Sequence, residues 1–174
     1  MSEEPERVVW QGKFITAKVR GKWEYVSRAR GIRAAVILAI EDGHVLLVEQ
    51  YRVPLGKTCI ELPAGLIGDG DLPDEAVEEA AARELEEETG WRADRIEIVG
   101  EFYSSPGMVS ESFTLVRARG LTQVGGGGGV EGENITVHRV RLDAVEAFIA
   151  ERRRRGDAID VKLLLLLGGG IVGE

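Results

Sequence analysis

The 174-residue chain is short of the residues that usually carry cross-links, structural metals and nucleic-acid contacts. Its one cysteine, Cys59, excludes an intrachain disulfide, and with only His44 and His138 beside it no ordinary structural zinc site can be assembled. Basic charge is also scarce. Twenty-two Lys and Arg face 30 Asp and Glu, a formal net charge of -8, so the excess of cations that a general nucleic-acid binder needs is missing. If phosphates are bound, something other than net charge attracts them. No long apolar run is present: "LLLLL" at Leu163 to Leu167 falls far short of the roughly 20 residues that span a bilayer. The N-terminus, "MSEEPERVV", lacks the apolar core of a signal peptide. These absences lead us to expect a cytoplasmic protein in a reducing compartment, with neither membrane nor nucleic acid as partner. A hydrophobic content of 44% is enough for one core at this length, so a single domain over residues 1–174 is expected.

What is present reads as strands first. "FITAKVR" and "KWEYVSR" alternate apolar and polar residues, and "RAAVILAI" and "HVLLVEQYR" are apolar runs joined at Glu41, Asp42 and Gly43 by a hairpin-type turn. "CIELPAGLI" follows. "GDGDLP" then supplies turn residues, Pro73 suits a first helical turn, and Asp71 or Asp74 is available as its cap. Val77, Ala81 and Leu85 recur every four residues on one helix face, which Gly90 is placed to end. "IEIVGEFY", "FTLVRARG" and "ITVHRVRL" read as further strands. The run Gly125 to Gly129 reads as a flexible loop, since no Gly-Lys-Ser/Thr follows it to make a phosphate-binding loop. "DAVEAFIAERRRRG" has Asp143 and Glu146 at capping-box spacing, with Arg152 to Arg155 as its solvated end and Gly156 as its stop. A last helix is expected over "AIDVKLLLLL". Strands interleaved with two or three helices suggest a mixed sheet covered by helices.

One segment conflicts with helix stability. In "AARELEEETG", Glu84, Glu87 and Glu88 stand at i, i+3 and i+4, so their carboxylates converge on one face, at a cost of about 0.2–0.5 kcal/mol per like-charged pair. A solvated acidic face, partly offset by Arg83, is one explanation. A divalent-cation site is the other, because hard ions such as Mg²⁺ take several oxygen ligands and carboxylates one turn apart provide them. Spacing alone leaves both open.

The surrounding residues resemble the Nudix box: Gly, five residues, Glu, seven residues, Arg-Glu, an aliphatic, any residue, Glu-Glu, any residue, Gly and an apolar residue. Glu75, Arg83, Glu84, Leu85, Glu87, Glu88, Gly90 and Trp91 match in register. The leading glycine would fall at Asp69; Gly65 in "LPAGL" looks like its counterpart, with "GDGD" material inserted before the helix. The resemblance implies an αβα sandwich with a mixed sheet and N-terminal antiparallel strands, and hydrolysis of a nucleoside diphosphate linked to another group. It implies Mg²⁺ as cofactor, with Mn²⁺ as a substitute. Glu84 and Glu88 would be metal ligands, Glu87 a ligand or a supporting group, Arg83 the residue that orients them, and the Ala64 carbonyl a further ligand. A bound cation would also resolve the charge problem, since a net charge of -8 otherwise repels a pyrophosphate.

Three more stretches resemble the ADP-ribose pyrophosphatase branch of the same family. "VEQYR" with "ELPAGL" looks like the strand and loop that precede the box, and Pro106 in "SSPGMVSE" lies sixteen residues past Gly90, a spacing associated with ADP-ribose hydrolases. "EGENITVH" is similar to a late loop carrying a catalytic glutamate and another metal ligand; Glu131 and Glu133 would fill these roles in either order. On the substrate side, Arg52 offers a fixed fork of donors to a phosphate or ribose, Trp23 or Tyr25 offers a ring for stacking on the base, and Glu111 is a candidate for the terminal ribose across a subunit interface. The resemblance also implies a homodimer, packed through an N-terminal strand layer over residues 1–32. The expected reaction converts ADP-ribose to AMP and ribose 5-phosphate. GDP-mannose or ADP-glucose would be the alternative substrates, and a sensor that binds without cutting is a third reading.

Overall fold

The computed structural model describes residues 4–29, 32–68 and 75–172. Three antiparallel strands come first: β1 (Arg7–Gln11), β2 (Ile15–Arg20) and β3 (Trp23–Arg28), in the order β1-β2-β3. This small sheet meets the rest of the chain at Val26, whose N–H donates to the Met108 carbonyl and whose own carbonyl accepts from Ser110. Val8, Val9, Trp10, Phe14 and Trp23 are left exposed on it.

The main sheet contains β4 (Arg33–Glu41), β5 (His44–Arg52), β6 (Lys57–Glu61), β7 (Ala64–Ile67), β8 (Trp91–Tyr103), β9 (Ser112–Gln123), β10 (Thr136–Arg141) and β11 (Ala158–Ile159). Its order is β11-β6-β5-β4-β9-β8, with β10 on β5 and β7 on β4. β4 runs parallel to β9 and β11 parallel to β6, while the other pairs are antiparallel, so the sheet is mixed. The expected turn at Asp42 and Gly43 forms, with left-handed φ values of 49° and 70° that suit the twist of a two-residue hairpin. β4 and β5 stay paired only beside that turn, at Ile40↔Val45 and Glu41↔His44. They then part. β7 takes up the freed edge of β4, and β6 that of β5.

Residues alternate across β4, so Ala35, Ile37 and Ala39 face one layer and Val36 and Leu38 the other. On the first face lies α1 (Val77–Thr89), which buries Ala80, Ala81 and Leu85 against Ile67, Val116 and Leu121. On the second lie α2 (Val145–Arg154) and α3 (Leu164–Val172), with Val145, Ile149 and Leu163 against Leu47, Ile60 and Val140. Helices thus cover both faces, and the expected αβα sandwich with antiparallel N-terminal strands is what forms.

Several local expectations are corrected. Helix α1 begins at Val77 after Ala76, which makes no side-chain cap; Asp69, Asp71, Pro73 and Asp74 lie outside the described residues. Gly90 does end the helix, in the left-handed conformation at φ 73°. The capping box before α2 does not form, because Asp143 is drawn to Arg141 by two hydrogen bonds of 2.9 and 2.6 Å. The last helix starts later than expected and runs further, since Ala158 and Ile159 pair with Cys59 and Ile60 and α3 spans Leu164–Val172. Arg152 is buried rather than solvated: it reaches Glu49 at 2.6 Å and Asp157 at 2.8 Å. The second contact is off line, so Arg152 Nε and Asp157 Oδ2 form a charge pair without an aligned hydrogen bond.

Candidate functional site

The glutamates of α1 are aimed by the helix into the wedge where β4 and β5 part. There they meet the start of β7. The N–H of Ala64 donates to Glu88 Oε2 at 3.0 Å, and Gly65 lies against Glu84 so closely that a Cβ there would sit 2.0 Å from the Glu84 carboxyl carbon. Only glycine leaves Glu84 that room. A pocket of about 860 Å³ opens beside them, lined among others by Arg52, Ala64, Glu84, Glu87, Glu88 and Glu133.

Electrostatically the pocket is tense. Glu88 is only 5% exposed, and burial pushes its carboxyl up to about 8; the Ala64 N–H opposes this, while the nearby charges of Glu84 and Glu133 add to it. Glu84 is likewise raised, first by burial, against the pull of Arg83. Arg83 is the hub of the cluster, bonding Glu75 at 3.1 and 3.3 Å, Glu84 at 2.8 Å and Glu87 at 3.3 Å. The first of these outweighs burial in holding the Arg83 guanidinium charged. Glu79, four residues before it, is not among its partners. On the facing wall Arg52 clamps the buried Glu61 at 2.5 and 3.0 Å, and Arg28 bonds Glu111.

Chemically this is an all-oxygen donor set in which burial and nearby carboxylates disfavour the ionised forms of Glu84 and Glu88, and a hard divalent cation would relieve both. Among the described residues, no three acidic, His or Cys side chains stand ready at metal-holding spacing. Arg83 instead holds Glu84 and Glu87, and main-chain N–H groups hold Glu88 and Glu133.

Of the residues singled out in the sequence, the fold brings Arg52, Ala64, Arg83, Glu84, Glu87, Glu88, Glu111 and Glu133 to one pocket. Three stand apart. Glu131 is exposed outside the pocket lining, and Trp23 and Pro106 line a separate hollow of about 420 Å³ with Arg20 and Tyr25. Sequence reasoning passed over Glu61, Arg28, Gln50 and Lys162, which also line the pocket. Glu61 lies inside the quoted "ELPAGL", so a signal was available. Lys162 had none, because only the pairing of β11 with β6 carries it there. Neither histidine lines the pocket: His44 Nδ1 lies 2.8 Å from the Asp42 carbonyl, and His138 Nε2 lies 2.7 Å from Glu49.

A family model described as a NUDIX domain matches residues 29–160. A methanol dehydrogenase activator of Bacillus methanolicus is 37% identical over 120 residues, 68% of this chain and 63% of that protein. An ADP-ribose pyrophosphatase of Bacillus subtilis is 42% identical over 88 residues, 51% of this chain and 45% of that protein. A GDP-mannose pyrophosphatase of Cronobacter sakazakii is 38% identical over 159 residues, 86% of this chain and 77% of that protein. The matched segments thus span from under half to about three quarters of these relatives. A crystal structure of an ADP compounds hydrolase superposes with a TM-score of 0.71 at 24% identity, covering 99% of this chain and 94% of that one. At that identity it speaks for the fold alone.

Proposed function

Because this chain belongs to the Nudix hydrolase family, we propose that its pocket hydrolyses the pyrophosphate bond of a nucleoside diphosphate sugar, with ADP-ribose as substrate and AMP and ribose 5-phosphate as products. The observation that carries the reading is the convergence of Glu84, Glu88 and Glu133 on one pocket, with Glu88 buried and its carboxyl raised by burial. Glu84, Glu88 and Glu87, with the Ala64 carbonyl and Glu133, would hold Mg²⁺, or Mn²⁺ in its place. A divalent cation held there would offset phosphate charge and make water more acidic. Arg83 orients the carboxylates through its bonds to Glu75, Glu84 and Glu87. Glu131, on the same loop as Glu133, takes the proton of the attacking water while Glu133 is the metal ligand, or the two exchange these roles. Water adds to a phosphorus as the bridging P–O bond breaks, and the departing phosphate leaves as an anion. Arg52 and Glu111 serve substrate groups in this reading.

ADP-ribose is favoured by Pro106 and by the B. subtilis relative. The C. sakazakii relative favours a second reading, GDP-mannose, on the same chemistry. Residues 1–32 are read as the dimerisation layer that would carry Trp23 towards the partner's pocket, and a cytoplasmic location fits a nucleotide-sugar substrate. The test is product release from ADP-ribose, GDP-mannose, ADP-glucose and ATP in parallel, each with Mg²⁺ and with EDTA. AMP formed fastest from ADP-ribose, and only with metal, is the expected result. Faster cleavage of GDP-mannose would keep the metal chemistry and replace the substrate. Tight binding with no turnover of any of them would replace the enzyme with a sensor.

A further inference from the structure

The run Gly125 to Gly129 reads in the sequence as a flexible loop, but its backbone is docked on the C-terminal end of α1. The N–H of Gly128 donates to the Glu88 carbonyl at 2.9 Å and that of Gly129 to the Glu87 carbonyl at 3.0 Å. Val124 and Gly125 both donate to the Gly90 carbonyl, at 2.8 and 3.0 Å. Carbonyls in the last turn of a helix have no partner within it, and here the glycine segment supplies one. The approach is too close for side chains. A Cβ at Gly127, where φ is +66°, would stand 2.4 Å from the Thr89 carbonyl carbon and 2.5 Å from the Glu88 oxygen. One at Gly90 would stand 2.4 Å from the Gly125 oxygen.

The same segment holds Glu133 from the other side. Ile135 donates to the Gly128 carbonyl at 3.1 Å, Val130 N–H donates to the Glu133 carboxylate at 2.9 Å, and Glu133 N–H returns to the Val130 carbonyl at 3.1 Å. A Cβ at Gly129, where φ is +75°, would stand 2.3 Å from Glu133 Oε2. Gly126 differs from these neighbours, with nothing within 4 Å of its Cβ position and no left-handed φ.

We infer that residues 127–130 are a main-chain clasp that sets Glu133 against Glu84 and Glu88, with Gly127 and Gly129 as positioning residues acting through Glu133. The inference rests on reading those glutamates as one site. The carbonyls gripped by the clasp belong to Glu87 and Glu88, whose side chains line the pocket. One short run of main chain therefore ties the loop carboxylate to the helix turn that carries the other two.

The test compares Gly127→Ala and Gly129→Ala in the full chain, with Gly126→Ala as the matched control. Mn²⁺ affinity, titrated without substrate, is expected to weaken about tenfold in the first two and to stay at the wild-type value in the control, and kcat to fall by about 10- to 100-fold with KM little changed. The Gly127→Ala effect should vanish in a Glu133→Gln background, whereas a merely structural lesion would add to it. Amide hydrogen exchange of the unmodified chain should find the Gly128 and Gly129 N–H groups protected and that of Gly126 fast, a readout that does not depend on the variants folding. The clasp is overturned by a folded Gly127→Ala protein with wild-type Mn²⁺ affinity, by additivity with Glu133→Gln, or by Gly128 and Gly129 amides that exchange as fast as Gly126. The Mn²⁺ and amide readouts need no substrate, so they decide the clasp even if no nucleotide sugar is cut.

Discussion

At the scale of single residues, the chemistry concentrates in side chains that cost the folded chain stability. Glu88 is buried beside two other carboxylates, and removing its charge should relieve strain while removing function. Glu88→Gln and Glu84→Gln are therefore expected to lower turnover by more than about a hundredfold and leave the thermal midpoint unchanged or raised; steady-state kinetics and a melting curve check both. A double variant with the wild-type rate would end the metal assignment. Gly65→Ala should weaken Mn²⁺ binding through crowding of Glu84, as measured by titration. Glu49 shows the opposite balance. Burial raises its carboxyl, but hydrogen bonds from His138 and Arg152 outweigh burial and hold it below its usual value of 4.5. The folded state then binds fewer protons than the unfolded one, so this contribution is complete above about 4.5 and is lost as pH falls through the lowered value. The stability advantage of wild type over Glu49→Gln should accordingly shrink over the range below about pH 4.5. A constant difference across that range would contradict the assignment.

At the scale of elements, periodicity within a segment was legible and contact between segments was not. The strands, the hairpin turn at Asp42 and Gly43, the helix over the glutamates and its stop at Gly90 all follow from local pattern. Most of the pocket's α1 side was readable for the same reason, since residues on one helical turn share a face in any fold. Arg152 was misread because four consecutive arginines look like a solvated helix end, and only the packing of α2 against β5 reveals which one turns inward to Glu49. The glycine run was misread because glycine signals flexibility and close approach alike. Helix α1 itself is held by packing rather than by a cap, for Ala76 makes none and Leu85 is completely buried. Leu85→Ala should thus cost about 2–5 kcal/mol, measured by denaturant unfolding. A loss below about 1 kcal/mol would mean that α1 is anchored elsewhere.

At the scale of the whole molecule, the distribution of apolar surface is uneven. Val8, Val9, Trp10, Phe14 and Trp23 are exposed on the N-terminal sheet, a larger apolar display than scattered surface residues require. A second copy covering this sheet is the expected explanation. Sedimentation should find a dimer, and a Trp10→Glu substitution should shift it to monomer while the isolated fold is kept. A wild-type monomer at micromolar concentration would remove that explanation.

The pocket also draws on the chain in a particular order. Its carboxylates come from residues 61 to 133, but the wall bearing Lys162 arrives only with β11, two residues paired to β6 and secured by the Asp160 N–H on the Ile60 carbonyl at 3.0 Å. Synthesis proceeds from the N-terminus, so a ribosome has already released every acidic group of the pocket before this last wall can be laid in place. A message cut short after Arg155 would encode the glutamates in full and leave one side of their pocket open to water.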